Sequence, residues 1–153
     1  MMIALIRIGI LAVALGAAGV FAIAEGQVTG TLVGAADAVD GDTLRVGPVR
    51  VRLWGIDAPE AAQTCLDAVR VPYVCGAAST RAMRAMLARD PMVLCERKGG
   101  DIYGRIVALC RNSEGDLGAR MVATGWAMDW ARYSRGAYRD HQAAARAERL
   151  GIW

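Results

Sequence analysis

The sequence lacks several features that would point away from a compact enzyme or binding domain. After the first two dozen of its 153 residues it has no long uncharged run, which excludes a polytopic membrane protein. Its net charge is only +3 and 55% of its residues are hydrophobic, which excludes an intrinsically disordered chain. It contains no internal repeat and no low-complexity linker, and its length suits one globular domain.

Histidine and lysine each occur once, and both shortages bear on function. The single histidine, His141, lies far along the chain from four cysteines that form no CxxC pair, so a zinc site is not expected. We interpret His141 as a surface residue. Lys98 is the only lysine, and every other basic residue is arginine. This bias suits bidentate contacts to phosphate, although a genome rich in G and C would also produce it.

The amino terminus has the pattern of an export signal. Arg7 is followed by an uninterrupted apolar run, and Ala22 and Ala24 form the small-x-small pattern that signal peptidases require. We predict that residues 1–24 are a signal peptide and that residues 25–153 form the mature, periplasmic or secreted domain. The alternative is an uncleaved anchor, since the apolar run is just long enough to span a bilayer, and only then would a membrane be a partner.

The four cysteines are Cys65, Cys75, Cys95 and Cys110. An even number behind an export signal predicts two disulfides, for which three pairings are possible. We favour Cys65 with Cys75 and Cys95 with Cys110, because the second pair flanks a predicted hairpin with its turn at Gly99-Gly100. On the chain-entropy account each bridge stabilises the fold by about 3 kcal/mol.

Strands are predicted mainly in the first two thirds of the chain. The clearest covers 49–56, where apolar residues alternate with polar ones, so that Arg50 and Arg52 face away from the core. The full set of predicted strands covers 27–33, 43–46, 49–56, 92–96 and 103–110.

Three helices are predicted around these strands. The first covers Gly76–Arg89. The second is a short helix that is capped by Asp116, runs through Val122 and is ended by Gly125. The third covers Tyr138–Leu150, with Gly151 as its C-terminal stop. Five short strands with an embedded helix and a helical tail predict an α+β, mainly β, fold. We expect a five-stranded barrel of the oligonucleotide-binding (OB) type with about three helices outside it.

Two segments carry carboxylates suited to a metal ion. One is Asp40-Gly41-Asp42-Thr43, a turn pattern, and the other is the end of the clearest strand at Asp57. Hard oxygen ligands without a cluster of histidine or cysteine favour Ca²⁺ or Mg²⁺ over zinc or copper. Asp42 and Asp57 can therefore hold a divalent cation.

Residues suited to phosphodiester chemistry lie beside these carboxylates. Hydrolysis needs donors on the phosphate oxygens and a residue that activates or orients water. Arg52 and Arg105 can clamp the phosphate, and Glu60 can address the water. Each alone could be an ordinary surface residue, but their combination on a predicted nucleic-acid-binding barrel favours a nuclease.

These segments resemble the staphylococcal nuclease-like thermonucleases. The resemblance rests on VDGDTLRV, VRLWGIDAPE, DIYGR, DLGARMVATGWA and LGIW, which occur in the family's order between about Val33 and Trp153. It implies a five-stranded barrel with three helices and a Ca²⁺-dependent phosphodiesterase that acts on DNA and RNA. We therefore expect Ca²⁺ as the cofactor, with Mg²⁺ as the less favoured ion.

The resemblance also implies roles for residues around the metal. Asp42 and Asp57 match the two carboxylate ligands of Ca²⁺, and Ala58 matches a residue that contributes its backbone carbonyl. Asp40 and Thr43 match residues that line the metal pocket. Alanine stands at position 58 where threonine is common, which keeps the carbonyl and loses a hydroxyl group.

Further roles are implied around the substrate. Arg52 and Arg105 match the two phosphate-binding arginines, and Glu60 matches the glutamate assigned as general base. Tyr103 matches an aromatic residue near the nucleotide, whereas Ile102 stands where a lysine would help to hold phosphate. The substrate preference is therefore not carried over.

The main alternative is a catalytically silent OB-fold barrel that binds nucleic acid or a protein partner. A silent module usually loses one of the carboxylates or arginines, and none is lost here. No stable protein partner is implied. We interpret the tryptophans as packing residues, with base stacking as the alternative: Trp54, Trp126, Trp130 and Trp153.

Overall fold

The computed structural model describes residues 30–153. The predicted signal peptide and the first residues of the first predicted strand lie outside the described residues. Between residues 30 and 153 no helix has both the length and the apolar character needed to cross a bilayer.

The described chain alternates short strands with four helices. The strands are β1 (Thr31–Ala38), β2 (Thr43–Val46), β3 (Val49–Leu53), β4 (Ile56–Asp57), β5 (Cys65–Leu66), β6 (Pro72–Tyr73), β7 (Met92–Gly100), β8 (Ile106–Asn112), β9 (Gly115–Asp116) and β10 (Met128–Asp129). The helices are α1 (Cys75–Arg89), α2 (Leu117–Ala123), α3 (Ala131–Ser134) and α4 (Arg139–Ala147).

Five strands form a closed barrel in the order β3-β2-β1-β7-β8. The neighbours in this order are antiparallel, and a parallel pairing of β3 with β8, in which Val51 lies opposite Ile106, closes the barrel. The helices pack outside, with α1 against β1 and α2 against β8. The predicted α+β class and five-stranded OB-type barrel are confirmed.

The core fills the barrel and the space beneath the helices. Along β3, Val51 and Leu53 are buried while Arg50 is exposed, as the alternation in the sequence predicts. On the helical side, Met83 from α1 and Met121 from α2 are fully buried in the same cluster. This packing gives the strand ends that carry polar residues a rigid base.

The first strand starts and ends later than predicted. It covers Thr31–Ala38 instead of 27–33, of which residues 27–29 are outside the described part. The segment Gly34–Ala36 lacks the β-branched residues that identify a strand. Its pairing with β7 at one end and with β2 at the other carries the strand through that segment.

The predicted position of the turn between β7 and β8, at Gly99-Gly100, is wrong. Both glycines lie in β7, which has an irregularity between Arg97 and Gly99, and the turn follows at Asp101–Arg105. The carboxylate of Asp101 accepts hydrogen bonds from the backbone N–H groups of Tyr103 and Arg105, and these contacts close the turn. The predicted strand 103–110 consequently begins only at Ile106.

The third predicted strand is divided in two. A turn at Trp54-Gly55 separates β3 from β4, and Gly55 has φ +73°, a left-handed conformation that suits glycine. A side chain at position 55 would also meet the backbone of Ser134 at 3.1 Å. The turn redirects the chain, so that Asp57 follows the bend instead of continuing the strand.

The helices match the predictions at their starts better than at their ends. The carboxylate of Asp116 caps α2 by accepting from the N–H groups of Gly118 and Ala119. The last helix begins at Arg139 but ends at Ala147 instead of Leu150. The chain then turns to dock on Gly125, whose carbonyl accepts from Ile152 at 2.9 Å. The four-residue α3 was not predicted.

Both predicted disulfides are present. Cys95 and Cys110 are register partners in β7 and β8, and Cys65 is joined to Cys75 at the start of α1. There is no free cysteine among the described residues. Two disulfides indicate an oxidising extracellular or periplasmic location.

Candidate active site

The turn between β1 and β2 holds a buried carboxylate, that of Asp42. Its backbone N–H donates to Oδ1 of Asp40 at 3.0 Å, and its carbonyl accepts from Leu53 in β3. Gly41 permits this turn because a Cβ there would lie 2.0 Å from Oγ of Ser79 in α1. The close approach fixes the turn against the helix and leaves Asp42 only 2% exposed.

Every oxygen of the Asp42 carboxylate has a partner. Oδ1 contacts the guanidinium of Arg52 and accepts from Oγ1 of Thr43 at 3.2 Å, while Oδ2 accepts from the N–H of Ala58 at 2.8 Å. Burial raises the pKa of Asp42 to about 7, although Arg52 and the N–H of Ala58 act in the opposite direction. The ionised carboxylate would therefore gain from additional positive charge nearby.

Arg52 joins the two carboxylates predicted to bind metal. Its Nη1 contacts Asp42, and its Nη2 lies 2.8 Å from Oδ1 of Asp57 and 3.3 Å from the carbonyl of Ile56. The bend at Trp54-Gly55 makes this possible, because it brings Asp57 back towards the strand that carries Arg52. The structure thus brings Asp42 and Asp57 to the same guanidinium group, that of Arg52.

The second arginine of the predicted site, Arg105, is held by the hairpin turn. Its Nε donates to Oδ2 of Asp101 at 2.7 Å, and its Nη1 donates to Oγ1 of Thr43 at 3.4 Å. Burial opposes ionisation of Asp101, but hydrogen bonds from Arg105 and Tyr103 outweigh it and lower the pKa of Asp101. The ionised Asp101 fixes the direction of the Arg105 guanidinium.

The closure of the barrel brings the two arginines together. In the parallel pairing of β3 with β8, Arg52 lies opposite Val107, and Arg105 lies two positions before Val107. Arg105 is the last residue of the turn before β8, and its Nη1 donates to Oγ1 of Thr43, which in turn donates to Oδ1 of Asp42, the oxygen that Arg52 contacts. Arg52 and Arg105 therefore reach the same side of the barrel wall.

A cleft of about 780 Å³ opens on this side. The predicted site residues that line it are Arg52, Asp57, Glu60, Tyr103 and Arg105. The remaining predicted residues do not line the cleft: Asp42, Thr43 and Ala58 are buried, and Asp40 is half-buried in its turn. Ala58 reaches the site through its N–H group, which bonds to Asp42.

Aromatic rings flank both arginines in the cleft. The guanidinium carbon of Arg52 lies 5.9 Å from the ring centre of Trp130, and that of Arg105 lies 5.5 Å from the ring centre of Tyr103. Trp130 also meets Tyr133 edge to face at 4.5 Å. Trp130 is 41% exposed and lines the cleft, so its interpretation as a packing residue is wrong. Trp54 and Trp126 do pack against the core.

The sequence reasoning assigned no role to Asp101 or Tyr133, and it favoured packing over base stacking for Trp130. Asp101 orients Arg105, and Trp130 and Tyr133 form part of the cleft wall. The spacing of three between Trp130 and Tyr133 could have suggested a shared helical face. Asp101 lies four positions before the arginine that it binds, in a motif already singled out.

The donor set suits a hard cation that also binds water. No group of three or more His, Cys, Asp or Glu residues suited to a metal forms within residues 30–153. Two carboxylates nevertheless converge on one positive charge, since Asp42 and Asp57 share the guanidinium of Arg52. Oxygen ligands without sulfur or imidazole fit Ca²⁺ or Mg²⁺, with water completing the coordination.

Comparison with known proteins identifies the family. The sequence model of the staphylococcal nuclease homologues matches residues 50–153, a stretch that contains Arg52, Asp57, Glu60 and Arg105. The chain belongs to the staphylococcal nuclease family. The resemblance in the motifs is therefore confirmed over most of the described domain.

The chain is also similar to a second kind of protein, named for its part in biosynthesis. The succinoglycan biosynthesis protein ExoI of Rhizobium meliloti (strain 1021) is 37% identical over 123 residues. The match covers 80% of this chain and 64% of that protein, so the chain spans less than two thirds of the relative's length. The name of that relative refers to succinoglycan biosynthesis.

Proposed function

We propose that the protein is a metal-dependent nuclease that hydrolyses phosphodiester bonds in DNA, in RNA or in both. The observation that supports this most strongly is the shared cleft. It gathers two arginines, a carboxylate beside Arg52 and an exposed glutamate: Arg52, Arg105, Asp57 and Glu60. These are the groups that phosphodiester hydrolysis requires.

The two arginines stabilise the phosphate in this proposal. A guanidinium presents parallel N–H donors to two phosphate oxygens, and these oxygens gain charge in the transition state. Arg105 is already oriented by Asp101. Arg52 contacts Asp42 and Asp57 through Nη1 and Nη2, so it turns from these carboxylates to the phosphate when they hold a metal ion. Electrostatic stabilisation by preorganised donors is the largest contribution expected here.

Glu60 activates the attacking water. Its side chain lines the cleft, and no residue among 30–153 forms an ion pair with its carboxylate. As the water oxygen forms a bond to phosphorus, Glu60 accepts a proton from that water. The ester P–O bond then breaks, and the departing oxygen keeps the bonding electrons and takes a proton from solvent.

We propose Ca²⁺ as the metal, with Mg²⁺ as the less favoured ion. Asp42, Asp57 and the carbonyl of Ala58 would hold it, with water supplying the rest of the ~6–8 oxygens that Ca²⁺ takes. Asp40 and Thr43 hold Asp42 in place, through its N–H and its Oδ1 respectively. When bound, the ion supplies positive charge beside the phosphate.

The aromatic side chains in the cleft contact the nucleotide next to the scissile phosphate. Tyr103 is 76% exposed and Tyr133 is 50% exposed, and both line the cleft with Trp130. Aromatic faces bind bases with little sequence preference. This arrangement suits a nuclease that accepts single strands of varied sequence.

We further propose that residues 1–24 are a signal peptide removed after Ala24, which would deliver the enzyme to the compartment that its disulfides require. N-terminal sequencing of protein recovered from the periplasm or medium tests this. A chain that starts at Met1 and stays with membranes would support the anchored form. We propose no stable protein partner.

A zymogram with single-stranded and double-stranded DNA and with RNA tests the nuclease proposal. Each substrate is incubated with Ca²⁺, with Mg²⁺ or with EDTA, and Glu60→Gln protein prepared identically reveals any contaminating nuclease. We expect cleavage with Ca²⁺, none with EDTA, and cleavage slowed by about 10²-fold or more with the variant. Binding of nucleic acid without cleavage under every condition would favour the silent OB-fold module.

A further inference from the structure

The backbone at Glu60 is held by Gln63, which lies three positions beyond the end of the stretch VRLWGIDAPE. The N–H of Gln63 donates to the carbonyl of Glu60 at 2.7 Å, and Oε1 of Gln63 accepts from the N–H of Glu60 at 3.1 Å. Both backbone polar groups of Glu60 are therefore satisfied by Gln63. This double contact restricts the rotation of the backbone from which the glutamate side chain projects.

The same turn is joined to the start of α1. The carbonyl of Gln63 accepts from the N–H of Gly76 at 3.2 Å. A Cβ at position 76 would lie 1.7 Å from the carbonyl oxygen of Glu60, so only glycine allows the helix to approach so closely. The turn at Glu60 thus lies directly on the backbone of a helix that is packed against the barrel.

A disulfide connects the chain on either side of this contact. Cys65 follows Gln63 by two residues, Cys75 immediately precedes Gly76, and the two cysteines are bonded. The hydrogen bond between Glu60 and the side chain of Gln63 is exposed to water, where such a bond contributes little by itself. The disulfide keeps the Glu60–Gln63 turn beside the start of α1. The weak hydrogen bonds of this turn are therefore held in one geometry.

The hairpin of β5 and β6, which this disulfide closes and which we call the disulfide hairpin, is held by further hydrogen bonds. Asp67 accepts hydrogen bonds from the N–H groups of Val69 and Val71, and the hydroxyl of Tyr73 lies 3.5 Å from the carbonyl of Gly151. The hairpin is therefore tied to the C-terminal turn as well as to α1. These contacts limit how far the segment after Glu60 can move.

We propose that Gln63, supported by the Cys65–Cys75 disulfide, is a positioning residue that orients Glu60 towards the cleft. The proposal rests on the proposed nuclease function, in which Glu60 accepts the proton of the attacking water. Small misplacements of a catalytic group are costly, since an error of about 1 Å can lower a rate 10²-fold. The hydrogen bonds between Glu60 and Gln63, the hydrogen bond from Gly76 and the Cys65–Cys75 disulfide together keep that error small.

The test compares Gln63→Ala with Gln63→Glu and with Thr64→Ala as a matched control. Thr64 is an exposed neighbour in the same loop, and a glutamate at position 63 keeps an acceptor oxygen for the N–H of Glu60. We expect Gln63→Ala to lower kcat about tenfold, with KM and the Ca²⁺ affinity measured by calorimetry unchanged. In Gln63→Glu, kcat should return to within about threefold of wild type. Thr64→Ala should match wild type. A wild-type kcat for Gln63→Ala, or equal losses in both position-63 variants, would overturn the proposal.

A double-mutant cycle separates positioning from general destabilisation. If Gln63 acts through Glu60, then Gln63→Ala in a Glu60→Gln background should change kcat less than twofold. An independent loss of about tenfold in that background would show that Gln63 acts elsewhere. Exchange of the Glu60 amide proton, measured by NMR, should be faster in Gln63→Ala than in wild type whatever the activity.

These outcomes also distinguish this proposal from the proposed function. A wild-type protein that cleaves no nucleic acid would overturn the nuclease, and the positioning role with it. An active wild type in which Gln63→Ala leaves kcat unaltered would overturn the positioning role alone.

Discussion

The backbone N–H of Ala58 donates to Oδ2 of Asp42 at 2.8 Å and joins the end of β4 to the turn between β1 and β2. Because this hydrogen bond comes from the backbone, the side chain at position 58 does not orient Asp42. Alanine can therefore stand where threonine is common without displacing the buried carboxylate. The consequence for metal binding can be measured directly.

If Ca²⁺ binds at Asp42 as proposed, replacing Asp42 with asparagine should abolish the stabilisation that the ion gives to the fold. The amide oxygen can still accept from Ala58, but the negative charge is lost. Saturating Ca²⁺ at about 100 times its dissociation constant should stabilise the wild-type protein by about 2.7 kcal/mol and raise its Tm. Thermal melts with Ca²⁺ and with EDTA should show no such rise for Asp42→Asn.

Asp37→Asn is the matched control for this experiment, since Asp37 is an exposed carboxylate on β1. It should retain the full Ca²⁺-dependent rise in Tm. An equal rise in Asp42→Asn would show that the metal binds elsewhere.

Replacing either cleft arginine with lysine should lower kcat on the order of 10²-fold or more, because a point charge cannot reproduce the planar fork. The substitutions are Arg52→Lys and Arg105→Lys, measured on a synthetic dinucleotide ester with thermal melts alongside. Arg50→Lys, on the exposed face of the same strand, should stay within about twofold of wild type. Well-folded Arg52→Lys and Arg105→Lys proteins that cleave within about threefold of wild type would rule out the phosphate clamp.

Glu60→Gln should lower kcat by about 10² to 10⁴-fold, because glutamine cannot accept the proton of the attacking water. KM and Tm should change little, since Glu60 is exposed. Single-turnover kinetics at saturating substrate isolate the chemical step. Glu148→Gln, an exposed glutamate at the end of α4, serves as the control. A matching loss in both variants would indicate a surface-charge effect.

Tyr138 should make the fold sensitive to alkaline pH. Burial, followed by the charge and hydrogen bond of Asp116 at 2.9 Å, raises the pKa of Tyr138 above its ordinary value of 10. A raised pKa favours the protonated folded state, so this stabilisation is complete below pH 10 and is lost as pH rises further. In Tyr138→Phe the decline in the free energy of unfolding above pH 10 should be shallower.

Urea unfolding at pH 7 and at several values above pH 10 measures this difference. At pH 7 the variant should be less stable by about 1 kcal/mol, since one hydrogen bond is lost. Parallel curves for the two proteins above pH 10 would show that Tyr138 is not the group responsible. Tyr73→Phe provides a comparison, since Tyr73 is a half-buried tyrosine on the disulfide hairpin.

Local sequence patterns predicted the strands and helices whose stabilising contacts lie within a few residues along the chain. The alternation around Val51 identified β3, and Asp116 identified the start of α2, because an N-cap bonds within its own first turn. The end of α4 could not be found in this way. It depends on the docking of Gly151 against Gly125, where a Cβ at position 151 would lie 2.1 Å from the carbonyl oxygen of Gly125.

The same distinction holds for the site. Arg52, Asp57 and Glu60 lie in one short segment whose motif is visible in the sequence, and the structure places all three in the cleft. The exposure of Trp130 follows instead from the short pairing of β10 with β4, which directs the chain along the cleft. Two-residue strands carry too little pattern to be predicted.

The parallel pairing of β3 with β8 also determines when activity can first appear during folding. These strands are more than fifty positions apart in the sequence, and loop closure over such distances is slow compared with the formation of a local hairpin. Arg52 and Arg105 can share a substrate only after this pair has formed. Enzymatic activity should therefore return no earlier than barrel closure during refolding, while far-ultraviolet circular dichroism, which also detects α1 and the hairpins, can recover sooner.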